Sequence, residues 1–200
     1  MIKVGLVFGH VATNIGDQII NDGIFKILKK MDFEIDLHIV FFEPNVNLMS
    51  AIRDKIIKEK LGTFKVFNPL SKTRIPNKLY KYLIEPSRIL EETGLISCDT
   101  ILFNSGEHLF FNQDIENNYN LFWRLLPLYA AKLSGKKCIL SPSTLGPFNS
   151  ASFDDLLLNS LKSFDHLSYR ESYTGEILRN EGIINGKELL DPAFLYFDKF

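Results

Sequence analysis

The first thirty residues constrain the fold more strongly than any other stretch of this chain. Residues 2–8 are apolar at nearly every position, which is typical of a strand buried on both faces of a parallel sheet. A polar loop follows, in which Thr13 or Asn14 can cap a helix. Apolar residues then recur at helical spacing from Ile20 to Met31. The segment therefore predicts a strand, a loop and an amphipathic helix, the repeating unit of an open α/β sheet.

The same alternation continues to the end of the chain. Further strands are predicted at residues 34–42, 64–67, 99–103, 137–141, 166–169 and 188–190. Helices are predicted at residues 46–61, 77–92, 117–133, 152–163 and 172–180. About six strands, apart from the small edge strand at 64–67, alternate with helices. This pattern indicates an α/β fold with a doubly wound, mostly parallel sheet and right-handed crossovers. We interpret residues 1–200 as one Rossmann-like domain.

Composition and charge exclude several classes of protein. With 200 residues, of which 46% are hydrophobic, the chain can bury a core. The net charge of -1 argues against nonspecific nucleic-acid binding, and no apolar run predicts a transmembrane segment. Cys98 and Cys138 lie at or beside predicted strands without a partner at metal-ligand spacing, so we interpret both as reduced and buried. A core strand in place of a signal peptide then predicts a cytoplasmic protein.

Polar residues follow four of the predicted strands. They are Asn14, Gly16 and Asp17 after the first strand, Gly106, Glu107 and His108 after the strand at 99–103, residues 143–146 including Gly146, and Arg170. Because the carboxyl ends of parallel strands share one edge of a sheet, these loops predict a ligand site there. Turn geometry alone is the alternative for the glycines. No dinucleotide or Walker motif occurs, so we predict no cofactor, and no metal-ligand set is recognised.

Two of these loops carry side chains that could transfer protons or bind an anion. Glu107 beside His108 could supply an acid–base pair, because histidine titrates near neutral pH and a carboxylate raises its pKa. The alternative is a loop histidine that only shapes the crevice.

Arg170 follows a short core strand, and its planar guanidinium suits a two-point hold on phosphate or carboxylate. The alternative is an ion pair with a nearby carboxylate: Glu171, Glu176 or Asp165. At the end of a strand we expect this side chain to be mainly exposed, so that its removal changes stability little.

Five pieces of the chain together resemble the polysaccharide pyruvyl transferase family. They are residues 14–17 (Asn-Ile-Gly-Asp), 99–106 (Asp-Thr-Ile-Leu-Phe-Asn-Ser-Gly), 143–148 (Ser-Thr-Leu-Gly-Pro-Phe), 168–172 (Ser-Tyr-Arg-Glu-Ser) and 190–194 (Leu-Asp-Pro-Ala-Phe). They occur in the family's order and are spread over nearly the whole chain.

The resemblance implies a fold and an activity. Members of the family are similar to GT-B glycosyltransferases in having two Rossmann-like domains with the active site between them. They transfer a pyruvyl group from phosphoenolpyruvate to sugar hydroxyls, which gives a ketal and free phosphate. The resemblance makes Arg170 the arginine that grips phosphoenolpyruvate. It also makes the loops at residues 14–17 and 106–108 the walls that face the donor or the acceptor sugar.

The chain departs from the family in three respects. Residues 105–108 (Ser-Gly-Glu-His) replace a run of glycines, and Glu171 stands where aspartate is commoner. The family's second domain has no counterpart, so we expect the isolated chain to be inactive. A fragment, a shortened homologue and a subunit with a separate partner polypeptide all stay open. Two other functions also stay open: a GT-B-like glycosyltransferase half that binds a sugar, and a noncatalytic Rossmann-like binding module.

Overall fold

The structure is a computed structural model that describes residues 1–8, 15–31, 35–42, 63–67, 81–82, 84–104, 125–146 and 151–197. Its strands are β1 (Ile2–Phe8), β2 (Ile35–Phe42), β3 (Thr63–Phe67), β4 (Thr100–Asn104), β5 (Lys137–Ser143), β6 (His166–Tyr169) and β7 (Gly186–Glu188). Its helices are α1 (Ile15–Lys29), α2 (Ser87–Thr93), α3 (residues 125–133), α4 (Ala151–Lys162) and α5 (Ser172–Asn180). Short 3-10 helices span Leu95–Ser97 and Pro192–Phe197.

The seven described strands form one sheet in the order β3-β2-β1-β4-β5-β6-β7, and every neighbouring pair is parallel. The chain moves outward from β1 to β3 and then returns to the other side of β1 for β4. Helical crossovers on both faces make this sheet doubly wound, as the sequence predicts. The strand order reverses between β1 and β4, and such a reversal opens a crevice at the carboxyl ends of the two strands.

Alternate residues of the central strands face opposite sides of the sheet. On one side, Val4 of β1 packs in a cluster with Ile24 of α1. On the other side, Ile101 and Phe103 of β4 join a larger cluster, in which the rings of Phe103 and Phe164 meet edge to face at 5.3 Å. The predicted amphipathic helix is thus confirmed, and its apolar side covers the centre of the sheet.

Some predicted boundaries differ from those of the structure. The last strand is Gly186–Glu188 rather than 188–190, because Gly186 and Glu188 align with Leu167 and Tyr169 of β6. Leu190 is instead 79% exposed beyond the ladder. The predicted helix at 46–61 lies outside the described residues, and that at 117–133 is described only from residue 125.

Both cysteines are free and buried, in agreement with the sequence-based interpretation. Burial raises the pKa of the Cys98 thiol, and it raises the pKa of Cys138 to about 12. Since the thiolate is the reactive form of cysteine, these two side chains are packing groups at neutral pH. Within the described ranges, no helix is long and apolar enough to cross a membrane.

Candidate functional site

Half of the predicted site residues lie in the described part of the chain. Those described are Gly16, Asp17, Gly146 and Arg170. The others, which lie outside the described residues, are Asn14, Gly106, Glu107 and His108. The described part of the site therefore rests on the start of α1, the end of β5 and the end of β6.

The first turn of α1 carries Gly16 and Asp17, and both are partly buried. A helix amino end carries a partial positive charge that favours anions. The carboxylate of Asp17 adds negative charge at the same end. This end of α1 therefore places a carboxylate at the positive end of the helix dipole.

The loop after β5 is held by hydrogen bonds and by one glycine. The fully buried Ser143 donates from Oγ to the carbonyl of Ser141 at 2.8 Å. The N–H of Leu145 points to Oγ1 of Thr174 in α5 at 3.4 Å. Gly146 has a φ of 90°, a conformation that strains any residue with a Cβ. The geometry thus gives Gly146 a role in the turn, and its predicted role in binding stays a prediction.

Arg170 lies at the carboxyl end of β6 and is surrounded by partners. Its Nε donates to Oγ1 of Thr144 at 2.7 Å and to Oε1 of Glu171 at 3.0 Å. Its Nη1 donates to Oδ2 of Asp191 at 2.6 Å. The side chain is 17% exposed, so the expectation of a mainly exposed arginine is wrong. We refer to these four residues as the Arg170 cluster.

Of the carboxylates considered from the sequence, Glu171 pairs with Arg170, whereas Asp165 does not. Asp165 precedes β6 and Arg170 follows it, so about 16 Å of extended chain separates them. Asp165 pairs with Lys132 at 2.9 Å instead. The second carboxylate that pairs with Arg170 is Asp191, which sequence reasoning missed because 21 residues separate the two.

Electrostatics fix the ionisation of the cluster. Burial opposes the charged form of Glu171, but hydrogen bonds from Thr144, Arg170 and Thr174 outweigh it and hold the pKa of this carboxyl below its usual value. Burial likewise opposes the charged guanidinium of Arg170, and its carboxylate partners outweigh that effect and raise its pKa. The cluster thus contains one cation and two carboxyl groups, an arrangement in which an incoming anion competes with groups already in place.

The carboxyl-terminal part of the described chain, residues 189–197, is here named the strap. It begins at β7 on the edge of the sheet, where the N–H of Leu189 donates to the carbonyl of Tyr169 at 2.9 Å. It ends against α1, where Nζ of Lys26 donates to the carbonyl of Leu195 at 2.7 Å. A Cβ at Gly23 would collide with the carbonyl group of Pro192. The strap therefore joins the Arg170 cluster, through Asp191, to the helix that covers the centre of the sheet.

A second polar group is buried beside the crevice at the reversal of strand order. Nδ2 of Asn104, at the end of β4, donates to Oδ1 of Asn21 in α1. Oγ of Ser141 in β5 donates to Oδ1 of Asn104 at 3.1 Å. The sequence shows an asparagine at the end of an otherwise apolar strand, but no local pattern indicates its partner Asn21. These bonds fix α1 against the ends of β4 and β5.

Comparison with known proteins identifies the family. The family model for polysaccharide pyruvyl transferase matches residues 14–200. The chain belongs to the polysaccharide pyruvyl transferase family. No curated protein sequence matches it.

Two solved structures have a similar fold. A UDP-GlcNAc 2-epimerase from Neisseria meningitidis, bound to UDP-GlcNAc, superposes with a TM-score of 0.62 at 10% identity, over 98% of this chain and 49% of the epimerase. A protein from Listeria monocytogenes assigned as a UDP-N-acetylglucosamine 2-epimerase gives 0.53 at 13% identity, over 92% of this chain and 44% of its own. The chain spans about half the length of each. The predicted Rossmann-like fold, one half of a GT-B-like architecture, is confirmed.

Three of the five pieces shared with polysaccharide pyruvyl transferases meet in space. Thr144 comes from the third piece, Arg170 and Glu171 from the fourth, and Asp191 from the last. Asn104 of the second piece anchors α1 through Asn21. In the described part of the chain, no group of three or more histidines, cysteines or carboxylates is placed to hold a metal ion. Residues of the third, fourth and last pieces thus form one hydrogen-bonded cluster of side chains.

Proposed function

We propose that this chain forms one wall of a cytoplasmic pyruvyl transferase that acts on a sugar of a polysaccharide or its precursor. The match to the polysaccharide pyruvyl transferase family over residues 14–200 is the observation that carries the proposal. In the reaction, two sugar hydroxyl oxygens bond to C2 of phosphoenolpyruvate, and the bond from C2 to the phosphate oxygen breaks. One hydroxyl proton ends on the methyl group that forms, and the other ends on phosphate.

The proposal assigns roles to the loops at the carboxyl edge. Glu107 and His108 form the acid–base pair that exchanges protons with the reacting groups. The first turn of α1 and its loop, with Asn14, Gly16 and Asp17, face the donor or the acceptor sugar. Gly106 and Gly146 let the backbone approach these ligands closely.

Arg170 binds the phosphate of phosphoenolpyruvate in this proposal. The guanidinium already donates from Nε to Glu171 and from Nη1 to Asp191, so a phosphate that takes either of these N–H groups replaces a carboxylate. Glu171 is 39% exposed and Asp191 is 14% exposed. The more exposed carboxylate exchanges with water and ligand at the lower cost, which supports exchange at Glu171.

A second candidate is a domain that binds a nucleotide sugar. It draws on the fold alone, since one similar solved structure is bound to UDP-GlcNAc. In either case residues 1–200 form one wall of the cleft, and catalysis in a cleft requires groups from both walls within reach of the reacting atoms. We therefore expect no phosphate release from phosphoenolpyruvate by this chain alone when a sugar acceptor is present.

Thermal unfolding of the purified chain separates the two candidates. Phosphoenolpyruvate, UDP-GlcNAc and inorganic phosphate are each added at increasing concentration and constant ionic strength. A ligand at a hundred times its dissociation constant adds about 2.7 kcal/mol to the free energy of unfolding. If the chain is part of a pyruvyl transferase, phosphoenolpyruvate should raise the free energy of unfolding more than inorganic phosphate does. Stabilisation by UDP-GlcNAc only would favour the second candidate, and no response to any ligand would contradict both.

A further inference from the structure

Asp191 is tied to the protein on both sides of its carboxyl group. Oδ2 accepts from Nη1 of Arg170 at 2.6 Å, while Oδ1 accepts from the N–H of Ala193 at 2.8 Å. The second bond closes the turn that starts the 3-10 helix of the strap, where the N–H of Phe194 also donates to the carbonyl of Asp191. One side chain thus fixes both the arginine and the turn of the strap.

The strap in turn is fixed to α1 by backbone contact. A glycine inside a helix costs about 1 kcal/mol relative to alanine, so Gly23 has to be explained by what it permits. It permits the carbonyl group of the buried Pro192 to lie directly against α1. Because Pro192 follows Asp191, the position of the carboxylate at Arg170 is set by the helix that covers the sheet.

Glu171 differs from Asp191 in each of these respects. It is more exposed, and its carboxylate contacts are to side chains: Oγ1 of Thr144, Nε of Arg170 and Oγ1 of Thr174. The hydroxyls of the two threonines can donate equally well to another anion. An anion in place of Glu171 would therefore find three donors already aimed at it, whereas an anion in place of Asp191 would break the turn of the strap.

We infer that the two carboxylates play opposite parts at Arg170. Asp191 is a positioning residue that holds the guanidinium through the strap, and Glu171 occupies the place that a donor phosphate takes. The inference rests on the proposed function for the identity of that phosphate. Residues 190–194, the last piece shared with the family, then serve to hold Arg170 in position. Glu171 is the group that the donor phosphate displaces.

The variants Asp191→Asn and Glu171→Gln test it, because each removes one negative charge beside the same arginine. Phosphoenolpyruvate is titrated against the chain and both variants at fixed ionic strength. Asp191→Asn should raise the dissociation constant about tenfold, as expected for a weakened charge-assisted hydrogen bond. Glu171→Gln should lower it about threefold, as expected for a lost partly exposed competitor. A change in the same direction for both variants would show a general charge effect and overturn the inference.

Amide hydrogen exchange without ligand keeps the test independent of the proposed function. If the unaltered chain does not bind phosphoenolpyruvate, the proposed function fails for this chain, and exchange still decides the role of Asp191. Asparagine keeps a side-chain oxygen that can accept from the N–H of Ala193. A change in the exchange rate of that N–H therefore reports the weakened bond to Arg170. Asp191→Asn should speed exchange at Ala193 and Phe194 several-fold, while Glu171→Gln and the distant control Asp165→Asn leave it unchanged. Equal exchange in all three variants would overturn the positioning role.

Discussion

The two edges of the sheet use charged side chains differently. At the amino edge, Oδ2 of Asp165 accepts from the N–H of Cys138 at 2.7 Å, and Nζ of Lys136 donates to the carbonyls of Ile96 and Cys98. At the carboxyl edge, the described bonds of the Arg170 and Glu171 side chains are to other side chains, and Asp191 is the member of the Arg170 cluster that also accepts from a backbone N–H, that of Ala193. A charged side chain that satisfies a backbone N–H or C=O group is needed for the fold, and a ligand cannot take its place without leaving that backbone group unpaired. Side chains paired with one another can exchange partners, so the difference points to the carboxyl edge for binding.

The largest expected effect comes from Arg170→Ala. The substitution leaves Asp191, which is 14% exposed, without its cation. We expect a loss of about 2 to 3 kcal/mol in the free energy of unfolding, measured with urea. Arg88→Ala is the control, because Arg88 is 47% exposed and pairs with Glu92 one helical turn away. There we expect about 0.5 kcal/mol or less. Equal losses of unfolding free energy in the two variants would show that the ion pairs of Arg170 stabilise the fold no more than an exposed ion pair does.

Gly23→Ala is expected to have the next largest effect. Helix propensity alone predicts a gain of about 1 kcal/mol from the alanine. The collision of its Cβ with the carbonyl group of Pro192 opposes that gain, because backbone cannot move aside as a flexible side chain does. We expect a net loss of about 1 to 2 kcal/mol in urea unfolding. A more stable variant would mean that the strap does not rest on α1.

At the amino edge, Asp165→Asn should cost about 1 kcal/mol of unfolding free energy. The amide still accepts from the N–H of Cys138 but loses the charge that pairs with Lys132. The same variant should bind phosphoenolpyruvate as the unaltered chain does. An altered dissociation constant would show that the two edges are coupled and would weaken the contrast between them.

The smallest expected effect is a difference in acid sensitivity. The folded state lowers the pKa of Glu171, so its stabilising contribution is present above the unfolded value of about 4.3 and is lost as pH falls through the folded value. The unfolding free energies of the chain and of Glu171→Gln, measured from pH 6 to pH 3, should therefore converge as pH falls. If the difference in unfolding free energy between the two proteins stays constant from pH 6 to pH 3, Glu171 is not paired as an ionised carboxylate.

Sequence reasoning predicted the fold because local patterns specify it. Both β6 and α5 have the predicted bounds, since an apolar strand and an amphipathic helix are encoded within a few residues. The cluster could only be predicted in part. Thr144 and Arg170 were expected at one edge, but the pair of Arg170 with Asp191 depends on the turn of the strap. The bond between Asn21 and Asn104 joins residues 83 positions apart, and no local pattern encodes such a contact.

The reversal of strand order also has a consequence for how the chain folds. β1 pairs with β2 across a short stretch of sequence, but its other neighbour is β4, and Val4 aligns there with Thr100. The N–H of Lys3 likewise meets Oδ2 of Asp99, 96 positions later. Closing so long a loop costs entropy before the pairing repays it, and folding rates fall as contacts become more distant in sequence. During synthesis, the central strand therefore keeps one open edge until half of these 200 residues have emerged.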